Sequence, residues 1–183
     1  MTPSRTCPNQ VRAQLRRAMY DLVEEALVDS EITADLRDRY VDRRDGLIAL
    51  IHPMDRVPKT WLLTRFAPRL SALLTKRNRG QDNPLRLRVA IHPGDVPYDE
   101  TGWFGEDMDI AIDLLDAPVL KDQLRQTPAP LVVAVSDQIH RSVIRHGYDG
   151  IDESAFVPLI QLEVNGGQYR GWVHVPGESL QGF

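Results

Sequence analysis

The fold is decided by residues 86–115, which read RLRVAIHPGDV over 86–96 and GWFGEDMDIAIDLL over 102–115. The first stretch alternates polar and apolar side chains, as a strand does when its two faces meet different surroundings. Its apolar side consists of Leu87, Val89 and Ile91, together with Leu85 directly before the stretch. Its polar side consists of Arg86, Arg88 and His92. A Pro-Gly turn and a loop then lead to a helix predicted over 108–115, which follows a run of acidic residues.

The amino-terminal half is predicted to contain two helical regions, because apolar residues recur there at helical spacing. The first helix should run from about Val11 to Val28. A second region should follow Pro58, since proline suits a first helical turn, and should extend to about Leu74. Pro68 lies inside this region, so we expect a kink or two abutting helices there.

The carboxyl-terminal half is predicted to contain a helix, a central strand and a second helix. The helix should cover residues 119–125, and the apolar run Leu131 to Val135 is typical of a strand buried on both faces. Ser136 can cap a helix over 137–145, which Gly147 would end.

Two hairpins are indicated by turn residues, Arg44-Asp45-Gly46 in the first half and Asn165-Gly166 in the second. Helices that alternate with strands and hairpins predict an α/β (α+β) fold with a mixed, mostly antiparallel sheet and helices packed on it. The strands of the hairpins are predicted over residues 36–43 with 47–51 and over 157–164 with 169–175.

Composition predicts one soluble domain over residues 1–183, with flexible ends at 1–8 and 178–183. The net charge of −4 gives no electrostatic reason to expect DNA or RNA as a partner. No apolar run approaches the ~20 residues that span a bilayer, and a lone cysteine, Cys7, suits a reducing compartment. We therefore expect a cytoplasmic protein. Two basic clusters are interpreted as solvated helix faces or helix ends: Arg12, Arg16 and Arg17, and Lys76, Arg77 and Arg79.

Other chemistry-bearing residues do not form a recognisable motif. The five histidines have no close metal-ligand spacing, and we expect structural or surface roles for them. Ser136, Asp137 and His140 start one predicted helix, so Ser136 is expected to be a cap and not a nucleophile. Lys59 could point at an anion from a helix start, although a solvated lysine is the default interpretation.

The order of elements from about Val11 to Pro176, with the strand, turn and helix quoted above and the Asp-Gly hairpin, resembles the class III nucleotidyl cyclase homology domain. It is most similar to degenerate, stand-alone bacterial members of that family. The resemblance implies a cyclase-like, ferredoxin-type sandwich. The family's first strand is missing, because only Met1 to Pro8 precede the first helix, and they contain no acidic residue and no apolar run.

The resemblance implies that two aspartates hold the divalent metals that bind a triphosphate. Asp45 matches one of them, and the other belongs to the missing strand. An aspartate in a type I′ turn would look the same, so a metal ligand and a turn residue are both open interpretations of Asp45. A single carboxylate of this kind should hold Mg or Mn only weakly.

The resemblance also implies an Asn and an Arg four residues apart on the helix after the loop, where they orient the ribose and stabilise the transferring phosphate. The matching residues are Asp109 and Asp113. A carboxylate in place of the cation reverses the electrostatic contribution to catalysis. The alternative is that both residues lie on a solvated helix face, with the following side chains inward: Met108, Ala111, Ile112 and Leu115.

These observations favour a catalytically degenerate, cyclase-like domain that acts as a regulatory or protein-interaction module and requires no cofactor. It would form a homodimer or bind a partner protein through a sheet edge or through the loop that carries Trp103 and Phe104, although these aromatic residues could also pack locally. One alternative is a divergent, metal-dependent nucleotidyl cyclase. The other is a sensor that binds ATP or GTP with Mg or Mn but without turnover. The candidate nucleotide-binding residues are Asp109, Asp113 and Lys59.

Overall fold

The computed structural model describes residues 9–54 and 56–178, which group into two compact units. The first unit ends at Leu87 and the second begins at Arg88. The predictions of a missing first strand and of a flexible start concern residues 1–8. These residues, which include Cys7, lie outside the described part of the chain. In the predicted flexible end, the Glu178 N–H donates to the Val175 carbonyl at 3.1 Å, and residues 179–183 are outside the description. No helix in the described ranges is long and apolar enough to cross a membrane.

The first unit contains two helices that pack against each other, α1 (Asn9–Asp29) and α2 (Ala67–Asn78). The prediction of a long first helix is confirmed, and its buried face repeats every three or four residues as predicted. The buried residues of α1 are Leu15, Met19, Val23, Ala26 and Leu27. Those of α2 are Ala67, Leu70, Leu73 and Leu74.

Where a kink or two abutting helices were predicted at Pro68, a π-helical turn over Leu62–Phe66 leads directly into α2. Pro68 has no N–H to donate to the preceding turn, so a regular helix would leave a carbonyl there without its partner. The widened turn changes the hydrogen-bond pattern, and the Ala67 N–H donates to the Leu62 carbonyl, five residues back. The helix therefore continues through the proline region without a break.

The first predicted hairpin forms with shorter strands than predicted. Strands β1 (Val41–Asp42) and β2 (Leu47–Ile48) pair antiparallel as a separate two-stranded sheet. The pairing is interrupted before β1 and resumes at an antiparallel bridge between Arg37 and Ile51, where the Asp38 N–H donates to the Leu50 carbonyl at 2.9 Å and the His52 N–H donates to the Leu36 carbonyl at 2.8 Å. In the connecting turn Arg44 has a φ of 53°, whereas Asp45 does not have a positive φ. The turn is therefore not type I′, in which both central residues have positive φ.

The second unit is built on a four-stranded sheet. Its strands are β3 (Leu87–Ile91), β6 (Leu131–Ser136), β7 (Val157–Val164) and β8 (Gly167–His174). They lie in the order β3-β6-β8-β7, so the edges of the sheet are β3 and β7. Strand β8 runs antiparallel to both of its neighbours, and the predicted α/β class is confirmed.

Two sequence signals in this sheet are confirmed in detail. Every residue of β6 is buried, as predicted for a central apolar strand. Asn165 and Gly166, which join β7 to β8, have φ of 50° and 80°, and both are therefore left-handed as a type I′ turn requires.

Helices α3 (Glu106–Asp116) and α4 (Pro118–Gln126) pack on one face of the sheet. The predicted inward face of α3 is wrong by about one residue position, since its fully buried residues are Ile110 and Leu114. Gly171 explains why Leu114 is buried, because a side chain at residue 171 would collide with Leu114, whereas glycine leaves room for it. The four residues predicted to face inward are only half-buried: Met108, Ala111, Ile112 and Leu115.

Helix α5 (Asp137–Ser142) begins as predicted but ends early. The Ser136 hydroxyl caps it by accepting the Ile139 N–H at 3.5 Å. A 3₁₀ turn over Ile144–His146 replaces the predicted last helical turn, and Gly147 ends that turn with a φ of 61°.

A small hairpin that was not predicted lies in the loop before α3. Its strands are β4 (Tyr98–Asp99) and β5 (Gly102–Trp103), which pair antiparallel. Strands of two residues leave no periodicity to detect in the sequence.

The close approach of Leu114 to Gly171 can be tested with Gly171→Ala. The new Cβ would lie 2.5 Å from Leu114 Cδ2 and 3.1 Å from Ile160 Cβ, so we expect a loss of about 1–3 kcal/mol in the free energy of unfolding. Gly46→Ala is the control, because no atom lies within 4 Å of its Cβ, and it should change stability by less than about 1 kcal/mol. Urea denaturation measures both, and equal stability of the two variants would contradict this packing.

Candidate functional site

The four candidate residues lie on exposed positions in different units. Asp45 and Lys59 belong to the first unit, and Asp109 and Asp113 belong to the second. Within residues 9–54 and 56–178, none of these side chains makes a hydrogen bond or an ion pair. Their roles in binding metal or nucleotide stay predictions.

Asp109 and Asp113 are one turn apart on the exposed side of α3. This placement agrees with the interpretation of a solvated helix face. In the described part of the chain, no group of three or more His, Cys, Asp and Glu side chains is arranged to hold a metal ion. The carboxylates of Asp109 and Asp113 repel an anion, and neither can donate a hydrogen bond to it.

A different acidic residue of the same helix is held tightly. Asp107 lies in the first turn of α3, and its Oδ1 is 3.0 Å from Nε2 of His92, whose side chain is only 5% exposed. Its Oδ2 accepts the backbone N–H of Asp95 at 2.9 Å. Gly94 makes room for this carboxylate, because a Cβ there would lie 2.1 Å from Asp107 Cγ. The Pro-Gly turn after β3 therefore packs against the first turn of α3.

Arg88 makes a matching contact at the other end of α3. Its side chain is 6% exposed, and Nη1 donates to the Leu115 carbonyl at 2.7 Å. Nη2 lies 3.8 Å from the Asp116 carboxylate, which also pairs with Lys121 at 3.5 Å. A cation at the end of a helix is favoured because it satisfies carbonyls that have no partner within the helix.

The spacing of these two contacts along the strand matches their spacing along α3. Arg88 and His92 are four residues apart on one side of a strand, which corresponds to about 13 Å. Asp107 and Leu115 are eight residues apart on a helix, which corresponds to about 12 Å. Two of the polar residues that the alternation identified, Arg88 and His92, therefore have buried side chains that contact α3.

A second group of aromatic and histidine side chains lies on the opposite side of β8 from Gly171. The rings of His140 and Trp172 stack at 4.1 Å, and His140 Nε2 is 3.5 Å from the Glu153 carboxylate. The ring of His174 stacks on Phe156 at 4.6 Å, and its Nδ1 is 3.1 Å from the Ala155 carbonyl, to which only a protonated nitrogen can donate. Burial lowers the pKa of His174, while the bond to the carbonyl partly opposes this shift.

The β4–β5 hairpin exposes aromatic side chains. Tyr98 is 66% exposed and Phe104 is 50% exposed, whereas Trp103 is half-buried with its ring 4.9 Å from that of Tyr98. Trp103 thus packs locally, and Phe104 faces solvent. Tyr98 was missed in the sequence, although an aromatic residue on each side of a short acidic turn was the available signal.

The turn of this hairpin is fixed by Asp99. Its Oδ1 accepts the Thr101 hydroxyl at 2.6 Å, the Thr101 N–H at 2.7 Å and the Gly102 N–H at 3.2 Å. These bonds, that of the Thr101 hydroxyl first, lower the pKa of Asp99. The aromatic rings are therefore presented by an ordered turn.

Comparison with known proteins finds no matching family model, no matching curated protein and no matching solved structure. The resemblance to the cyclase homology domain therefore depends on the residues quoted above.

The contact between Asp107 and His92 can be tested with Asp107→Ala. This change leaves the buried His92 imidazole and the Asp95 N–H without their acceptor, so we expect a loss of about 1–3 kcal/mol in the free energy of unfolding. Asp109→Ala is the matched control on the same helical turn, and it should change stability by no more than about 0.5 kcal/mol. Equal losses in the two variants would mean that the pair has no structural role.

The lowered pKa of His174 predicts a dependence of stability on pH. Below pH 6.5, its ordinary pKa, the unfolded chain binds a proton that the folded chain resists, so stability contributed by neutral His174 is lost as the pH falls. His174→Gln should reduce the loss of stability between about pH 7.5 and 5.5. His146→Gln, at an exposed histidine, is the control and should keep the wild-type pH dependence. Thermal unfolding in buffers across this range measures the difference, and identical profiles would contradict the assignment.

Proposed function

We propose that this chain is a cytoplasmic, catalytically degenerate, cyclase-like module that acts by protein–protein interaction and pairs with a second copy of itself. The observation that carries the proposal is the placement of Asp109 and Asp113. They occupy the positions at which the resemblance requires an amide and a cation, and both are exposed acidic side chains without partners in the described chain.

The electrostatics at these positions oppose catalysis on a triphosphate. Loss of one positioned donor typically costs about 2.7–4 kcal/mol of transition-state stabilisation. A carboxylate in place of the donor adds repulsion to this loss, since a triphosphate is itself strongly negative. Helix α3 is therefore unsuited to the role that the resemblance would give it.

The interaction surface that we favour is the β4–β5 hairpin with Phe104, which we call the aromatic hairpin. Tyrosine, tryptophan and phenylalanine are enriched at protein interfaces, and an ordered turn lowers the entropy cost of binding. The resemblance indicates which partner to expect, because cyclases of this family assemble head-to-tail from two copies. A second copy is thus the expected occupant.

The sheet edges are less suited to this role. Edge strand β7 carries Pro158 and a register shift between Val157 and Ile160, and both features disfavour the addition of a further strand. Edge strand β3 has only five residues. The aromatic hairpin is accordingly preferred over strand addition as the route to a dimer.

The proposal predicts a dimer that depends on the aromatic hairpin. Sedimentation velocity over a range of concentrations should detect self-association, and the double variant Tyr98→Ser, Phe104→Ser should weaken it at least about tenfold, as expected for loss of two buried aromatic anchors. Tyr148→Ser is the control, because Tyr148 is also 53% exposed but lies outside the hairpin. A wild-type chain that stays monomeric at all concentrations would overturn the dimer.

The absence of turnover is tested separately. The purified chain is incubated with ATP or GTP and manganese, and the cyclic nucleotide is quantified. We expect none above a blank without protein. Multiple turnovers would falsify the degenerate assignment and favour the divergent cyclase.

A further inference from the structure

An open depression in the first unit is lined mainly by arginines. It has a volume of about 250 Å³ and lies where the first turns of α1 meet the β1–β2 turn. Its lining residues are Asn9, Arg12, Ala13, Arg16 and Arg44. We call this feature the arginine depression. It shares no residue with the aromatic hairpin and does not depend on the proposed function.

The depression is held in shape by Arg16. Its Nη1 donates to the Arg44 carbonyl at 2.9 Å, and its Nη2 donates to Asp42 at 2.6 Å and lies 3.3 Å from the Tyr20 hydroxyl. These bonds fix the β1–β2 turn against α1. The wall of the depression is therefore formed before any ligand arrives.

A second set of bonds holds the base of the same hairpin on α1. Arg37, whose side chain is 6% exposed, forms an ion pair with Glu24, and the Tyr40 hydroxyl donates to the same carboxylate at 2.5 Å. The guanidinium of Arg37 also lies 4.5 Å from the centre of the Tyr40 ring. The position of Arg44 relative to α1 is thus determined from both ends of the hairpin.

The charge of the depression is positive. Asp42 compensates Arg16, but among residues 9–54 and 56–178 neither the Arg12 nor the Arg44 side chain has an acidic partner. The nearest acidic residue in sequence, Asp45, is exposed in the turn.

Size and chemistry together define the ligand. The volume is below the roughly 300 Å³ at which pockets for drug-sized ligands begin, and this size suits a small charged group. Guanidinium forks match the oxygens of a phosphate in bidentate geometry. We infer that the arginine depression is a binding site for a phosphate group, either as inorganic phosphate or as a small phosphomonoester.

The same charges oppose the metal that the resemblance would place at Asp45. Arg44 precedes this aspartate in the same turn, and a divalent cation would be repelled by the uncompensated guanidinium groups. A phosphate group and a metal ion are therefore competing assignments for this hairpin, and the charge favours the phosphate.

The inference is tested by titrating the full-length chain with inorganic phosphate at constant ionic strength and following backbone amide resonances. We expect saturable shifts in the first turns of α1 and in the β1–β2 turn. Arg12→Gln should weaken binding about tenfold, since it removes a charged donor while keeping a good helix former. Arg44→Asn should act similarly, because asparagine tolerates the positive φ at this position.

Arg17→Gln is the matched control, since it removes the same charge from an exposed position on the same helix, outside the depression. Its affinity for phosphate should equal that of the wild type. A parallel titration with O-phosphoserine distinguishes the two sources of the phosphate group, and the tighter ligand identifies the source. Linear shifts without saturation, shifts reproduced by chloride, or equal weakening in Arg12→Gln and Arg17→Gln would overturn the inference.

Discussion

The second unit depends on the way in which strand β3 holds helix α3 at both ends. A buried guanidinium and a buried imidazole are costly unless each meets a partner, and in this chain Arg88 meets the Leu115 carbonyl while His92 meets Asp107. Any shift of the helix along the strand would break both contacts at once. This constraint fixes the register of α3, and with it the loop that carries the aromatic hairpin.

The elements that the sequence predicted well are those whose signal is local. The apolar run of β6 and the Asn165-Gly166 turn each contain enough information to specify their own conformation. The inward face of α3 could not be predicted in the same way, because the helix has apolar residues on most of its circumference. The choice of Leu114 depends on Gly171, a residue of another strand that leaves room for it.

The candidate site shows the same division between local and distant information. Three acidic residues lie in the first turn of α3, Glu106, Asp107 and Asp109, and their types alone do not separate Asp107 from Asp109. Only the fold brings His92 to Asp107, across 15 positions of sequence. Likewise, Arg12 and Arg16 are consistent with a solvated helix face until the hairpin places Arg44 beside them. Local patterns therefore identify charged faces, whereas the partners of a face come from the tertiary structure.

A net charge of −4 describes the chain as a whole and says little about where an anion would bind. Exposed carboxylates on α3 repel phosphate oxygens, whereas Arg12 and Arg44 attract them. The difference arises from single side chains within a few ångströms, at distances where salt screens charges least. If this chain binds a phosphate-bearing molecule, the same electrostatics that argue against catalysis at Asp109 and Asp113 direct that molecule to the arginines of the first unit. Binding of a nucleotide would then be evidence for a phosphate site and not for a cyclase.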